Sequence, residues 1–244
     1  MSRPAPARIA VDVADGRARI GRLDASQFLR PRLLGVRGRR AEVALIGACA
    51  MLLAGDDLRI DIDVGPGAHL VLVEPSGTVA YNARGGDAHW SAQVRLADGA
   101  RLTWAAAPFV LAQGAHVHRH TDLDLALGAR ALLREVLVFG RSGEVGGALR
   151  AALRASYDGT PLLVEDLDLH GGDHGLRTAP GVLGEARVLA TLAVLGLTPD
   201  EVTDRHTTTL AGPGALVRAI ASEAHLAEDA LAATWQRWRT AVEL

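Results

Sequence analysis

The sequence predicts a mainly β fold: repeated antiparallel hairpins in layered or coil-like sheets, with one or two helices towards the C-terminus. Three observations lead there. The stretches LRIDIDVGPGAHLVLVE, AQVRLADGARLTWAA and TDLDLALGARALLREVLV share one template, an alternating apolar strand, a Gly-Ala turn and a second alternating strand. The turns recur at Gly67-Ala68, Gly99-Ala100 and Gly128-Ala129, 32 and 29 residues apart, and Gly159 adds another turn 31 residues on. From Gly214 the composition changes to ALVRAIASEAHLAEDALAATWQRWRTAVEL, rich in the helix formers Ala, Leu and Glu.

In chain order, Asp15-Gly16 is the first turn of this kind. VALIGACAMLLAG, residues 43–55, lies between RGRRAE and the pair Asp56-Asp57. It is shorter than the roughly 20 residues a membrane helix needs, and it predicts a buried strand or a pair of them. The run Arg59-Ile60-Asp61-Ile62-Asp63-Val64 alternates with period two, as a strand with one wet and one buried face does. Glycine supplies the positive φ that tight turns need, and the Asp-Gly pairs at 98–99 and 158–159 are hairpin signals. A period near 30 residues fits either a coil-like array or two layered sheets, and ordinary β-sandwich recurrence explains it as well. GEARVLATLAVLGL reads as a short helix or a buried strand. In the last segment Leu226, Ala230, Ala233 and Trp238 fall at helical spacing, and Trp235 and Trp238 are expected to pack into the core. We read residues 1–244 as one domain, β-rich over 8–180 and helix-containing over 181–244.

Composition narrows the function. A chain of 244 residues with 49% hydrophobic content can bury a sizeable core. A net charge of -2 supplies no basic excess for nucleic acid, and no apolar run is long enough for a membrane. The single cysteine, Cys49, rules out an internal disulfide, and MSRPAPARIAVDVADG lacks the apolar region of a signal peptide, so a cytoplasmic location is expected. There is no G-x-S-x-G elbow, Walker A loop, G-x-G-x-x-G, C-x-x-C or H-E-x-x-H.

Two stretches carry candidate sites. In HVHRH, the residues His116, His118 and His120 alternate, so on a strand their imidazoles share one face about 7 Å apart. They are candidate metal ligands, transient at most, and a solvated histidine-rich edge strand accounts for them too. The H-x-H with Asp122 downstream approaches a cupin-type metal strand, with Asp where Glu is expected. In LVFGRSGEVGGALR, an apolar strand enters Gly140-Arg141 and small residues hold Arg141 near Glu144, either as a partner-binding feature or as a structural turn.

The second stretch resembles the urease accessory protein D family (UreD, also UreH). The G-R-x-x-G-E turn is Gly140, Arg141, Gly143 and Glu144 here. Beside it stand Gly55-Asp56, Gly67-Ala68, Tyr81 closing LVEPSGTVAY, the Leu102 and Trp104 pair with Pro108 after it, and GPGALVR before the last helix. The likeness runs over about residues 18–240. Departures fall at Ala50, Met51 and Ala54, where the family has glycines, and at Glu74, Pro75 and Ser76, where it has Thr-Thr-Gln.

The resemblance implies a noncatalytic scaffold of mainly β fold. It would bind apo-urease with the accessory proteins F and G, the latter a GTPase, and assist Ni2+ insertion into the urease active site. No tightly bound cofactor is implied, and transient Ni2+ contacts suit scattered His, Asp and Glu. The alternative reading is a metal-dependent β-sandwich or cupin-like enzyme using His116, His118 and His120.

Overall fold

The computed structural model describes residues 4–169, 177–199 and 206–244. Among the described residues seventeen strands form two sheets, with one helix beside them. The first sheet runs in the order β14 (Thr160–Leu169), β13 (Ala148–Tyr157), β11 (His116–Leu125), β8 (Ala88–Leu96), β5 (Asp57–Val64), β1 (Ala7–Ala14) and β2 (Arg17–Asp24). The second runs β16 (Thr207–Thr209), β17 (Gly214–Ala221), β15 (Val188–Leu195), β12 (Arg130–Phe139), β9 (Arg101–Ala105), β6 (His69–Val73), β4 (Arg40–Gly47) and β3 (Leu29–Arg37). Short β7 (Thr78–Ala80) and β10 (Phe109–Leu111) add a parallel ladder against the end of β12.

The middle of the molecule is a stack of coils. The chain runs up β5, turns into β6 of the other sheet, returns to β8, turns into β9, and repeats through β11 and β12. Equivalent strands of successive coils pair in parallel: Ile60 lies beside Ala92, Leu70 beside Leu102, and Ala131 beside Leu102. The spacing of the Gly-Ala pairs is therefore the length of a coil. The expected antiparallel hairpins do not occur at these three turns, which are corners between the two sheets. Gly67, Gly99 and Gly128 do have positive φ, at 63°, 64° and 71°. The Ala after each is fully buried, so only a methyl group turns the corner into the core. The corners also bond to one another, with Gly67 N–H donating to the Asp98 carbonyl at 3.0 Å and Gly99 N–H to the Leu127 carbonyl at 3.0 Å.

Antiparallel hairpins cap the stack. Asp15-Gly16 joins β1 to β2 and Asp158-Gly159 joins β13 to β14, each with two consecutive positive φ values as a twisted two-residue hairpin requires. The stretch 43–55 is strand only to Gly47, after which Met51 and Leu52 are buried from irregular backbone.

The core fills the space between the sheets with Ile9, Ile60, Ile62, Leu70, Leu72, Leu102, Leu125 and Phe139. A second core lies outside it, where α1 (Ala224–Glu243) sets Ala227, Leu231, Trp238 and Val242 against Leu132, Val136, Leu192 and Val217. Fully burying each large aliphatic side chain stabilises by about 1.5 to 3 kcal/mol. β12 and β15 are thus covered on both faces, which is why VLATLAVL is apolar except for Thr191 and reads equally as helix or strand. It is strand, and so is GALVRAIA, so the helix begins at Ala224 rather than Gly214.

Candidate functional site

The Gly-rich turn follows β12 and leads into β13. At Gly140 (φ +90°) a Cβ would lie 2.5 Å from the Glu144 carbonyl oxygen, and at Gly146 (φ +96°) one would lie 2.6 Å from the Phe139 carbonyl carbon. The turn closes on itself so tightly that only glycine fits at both places. Inside it the Glu144 carboxylate gathers four donors. Oε1 accepts from Arg141 Nε at 2.9 Å and Nη2 at 2.5 Å. Oε2 accepts from the backbone N–H of Arg141 at 3.0 Å and of Gln113 at 3.1 Å, the latter from the connection between β10 and β11. These hydrogen bonds, the Arg141 side chain first, pull the Glu144 carboxyl down from 4.5 to about 2.

Two arginines that sequence reasoning did not single out hold the turn from behind. Arg177 is buried, lies 4.9 Å over the Phe139 ring and donates to the carbonyls of Gly147, at 3.1 Å, and Val145. Arg187 Nη1 donates to the Arg141 carbonyl at 3.1 Å. Arg141 keeps 57% of its side chain exposed, whereas Glu144 keeps 18%. Glu144 acts as the internal staple, and the guanidinium of Arg141 is the part turned to solvent.

HVHRH forms the first half of β11. This is an inner strand, paired in parallel with β8 on one side and β13 on the other, and not an edge. The in-register parallel stack extends each outward residue into a ladder. Asp57, His89, His118, Arg150 and Asp168 stand side by side on five strands. His118 stacks on His89 with ring centroids 5.2 Å apart, and His89 is a neighbour that the H-x-H pattern does not reveal. His118 Nε2 and His116 Nδ1 approach one Asp87 oxygen, at 3.6 and 3.9 Å. His120 turns away to Asp122, at 2.9 Å. The three histidines therefore divide between two carboxylates, and among the described residues no three His, Cys, Asp or Glu side chains are grouped to hold a metal ion.

Between the sheets lies a third polar group. Arg119 rests 3.9 Å over the Trp90 ring and pairs with Glu135 at 2.8 Å. Close by, Glu74 accepts from Trp104 Nε1 at 2.9 Å and from the Ala107 N–H at 3.2 Å, and burial pushes its carboxyl above the ordinary range. Trp90, Trp104, Arg119 and Glu135 line a small cavity of about 70 Å3. Trp104 is the second member of the Leu102-x-Trp104 pair.

Comparison with known proteins gives one consistent result. The family model described as "UreD urease accessory protein" matches residues 4–243. The chain is 49% identical to urease accessory protein UreD 1 of Streptomyces griseus subsp. griseus, over 98% of this chain and 95% of that protein. It is 36% identical to urease accessory protein UreD of a Parafrankia species, over 86% of this chain and 80% of the relative. With urease accessory protein UreD 2 of Saccharopolyspora erythraea it shares 30% identity, over 93% of this chain and 86% of that one. The geometry does not favour the cupin-like alternative, which needs the three histidines to converge on one ion.

Proposed function

Because this chain belongs to the UreD urease accessory protein family, we propose that it is a noncatalytic scaffold that binds apo-urease together with the accessory proteins F and G and assists Ni2+ insertion into the urease active site. The observation that carries this reading is similarity over almost the whole length to proteins named urease accessory proteins. The architecture supports it. Stacked coils tied strand to strand make a stiff body with two broad faces, as a protein that holds others in place requires. We place the scaffold in the cytoplasm, where apo-urease is assembled; none of its helices among the described residues is long and apolar enough to cross a membrane.

On this reading Arg141 offers its exposed guanidinium to a partner while Glu144 braces the turn beneath it. His116, His118 and His120 give Ni2+ contacts that are transient. Each is tied to a carboxylate on an open face, and a weak ligand set releases its ion readily. Co-expression of the tagged chain with urease subunits and the F and G proteins tests the assembly. Apo-urease and the accessory proteins should co-purify with it, and recovery of the chain without any urease component refutes the proposal.

A further inference from the structure

Several arginines on the broad sheet faces have an acidic neighbour on the next strand. Arg8 meets Asp61 at 3.4 Å, Arg95 meets Asp63 at 3.1 Å, Arg150 meets Asp168 at 3.3 Å and Arg154 meets Asp166 at 2.6 Å. Among the described residues, the hairpin of β3 and β4 carries the largest group of arginines without such a neighbour. In the hairpin of β3 and β4, the side chains of Arg30, Arg32, Arg37 and Arg39 are all exposed, and among the described residues none has an ion-pair or hydrogen-bond partner. The one acid in the hairpin, Glu42, is taken by Arg40 at 3.4 Å. Four uncompensated positive charges thus share one hairpin of a chain whose net charge is -2.

Apolar side chains stand among them. Leu34 is 58% exposed and Ile46 39%, and Ile46 lies directly across from Arg30 in the ladder, whereas Leu33 lies across from the buried Val43 on the other face. β3 is the terminal strand of its sheet, so this surface faces outward at one end of the stack. An exposed edge invites a further strand, but Pro31 has no N–H to give and a bulge between Leu33 and Gly35 interrupts the register. The side chains, not the backbone edge, are what this hairpin presents.

We infer that the β3–β4 hairpin is a docking surface for an acidic protein surface, the guanidinium groups of Arg30, Arg32, Arg37 and Arg39 taking its carboxylates and Leu34 and Ile46 packing between them. This rests on the scaffold reading and names a surface that it would use. Guanidinium forks match carboxylates two bonds at a time, and arginine with exposed aliphatic groups is the mixture found in protein interfaces. Phosphate would satisfy the arginines equally, but it leaves Leu34 and Ile46 without a counterpart, so a nucleic acid fits the patch less well.

The test uses the tagged full chain co-expressed with apo-urease and the F and G proteins. The double variant Arg30→Glu, Arg32→Glu should recover at least about tenfold less of one of these partners, because it places like charges opposite the partner's carboxylates. Arg95→Glu, a reversal of the same sign on the other sheet, should recover nearly the wild-type amount. Wild-type recovery should fall as salt rises from about 0.05 to 0.5 M, because exposed charges are screened over shorter distances. That titration and the milder Arg30→Gln, Arg32→Gln variant keep the answer independent of whether the reversal variant folds. Undiminished, salt-insensitive recovery with both double variants overturns the docking surface and leaves the scaffold standing. Failure of the wild type to recover any urease component overturns both. Nucleic acid held by the wild type, lost on nuclease treatment and lost in the double variant, assigns the patch to phosphate instead.

Discussion

At the scale of single residues, the chemistry lies in groups whose neighbours shift their protonation. His69 is buried with its Nε2 at 3.3 Å from Thr103 Oγ1, and burial, followed by the charge of Arg40, lowers its pKa from 6.5 to about 4. The folded state thus binds fewer protons than the unfolded one between these values, and its contribution to stability is present above about pH 6.5 and lost as pH falls towards 4. Glu144, lowered from 4.5 to about 2, contributes above about pH 4.5 and loses that contribution below it. Melting midpoints measured from pH 7 to 3 should fall in two stages. His69→Gln should flatten the upper stage and Glu144→Gln the lower, and an unchanged profile in either variant contradicts the corresponding assignment. Replacing His116, His118 and His120 together by Ala should move the midpoint little, since exposed substitutions change stability by under about 0.5 kcal/mol each. A large loss would show that the ladder with His89 carries structure. The sequence made the pair Arg141 and Glu144 legible because only two small residues, Ser142 and Gly143, separate them. It did not show Arg177, Arg187 or Asp87, because each reaches its site from another part of the chain and sits in no local pattern.

At the scale of elements, the strands were legible and their pairing was not. Glycine with positive φ reverses the chain both in a hairpin and in a corner, and Asp98-Gly99 and Asp158-Gly159 are the same dipeptide in the two roles. The residue after the glycine separates them. Arg17, Arg39 and Thr160 follow the glycines of hairpin turns and are exposed, whereas Ala68, Ala100 and Ala129 follow those of the corners and are fully buried. An inward methyl directs the chain across the core to the other sheet. The resulting parallel stack made β11 an inner strand, which period-two alternation alone cannot distinguish from an edge. The turns also differ in what they tolerate. Gly99 has open space where a Cβ would stand, while at Gly140 the Cβ would meet backbone at 2.5 Å. Gly99→Ala should cost about 1 kcal/mol for its left-handed backbone, and Gly140→Ala should cost more, about 3 kcal/mol or above, since backbone must also move. Thermal melts of the soluble co-complex read the order, and equal midpoints for the two variants contradict the closed geometry of the Gly-rich turn.

At the scale of the whole molecule, two sheets joined by corners and covered by α1 form a body that carries several cross-strand charge pairs and, on the β3–β4 hairpin, four exposed arginines without acidic partners among the described residues. The helix docks on strands already buried from the other side, so the C-terminal part is fastened to the stack: Arg101 donates to the Glu243 carbonyl at 2.6 Å and Arg130 to the Ala241 carbonyl at 3.0 Å. Mainly β class, the period of the coils and the closing helix were all visible in the sequence, and family likeness rested on the turn at Gly140 to Glu144. What remained hidden was long-range: which strands meet, and which charges are left over when they do. The central claim is that this body serves urease as an accessory scaffold. It is tested most directly by the nickel content and activity of urease purified from cells that lack their own protein of this family and grow at limiting nickel, with and without this chain. The account predicts nickel-poor, inactive urease without the chain and nickel-loaded, active urease with it. Urease equally poor in nickel in both cultures, with the chain present as soluble protein, would contradict it.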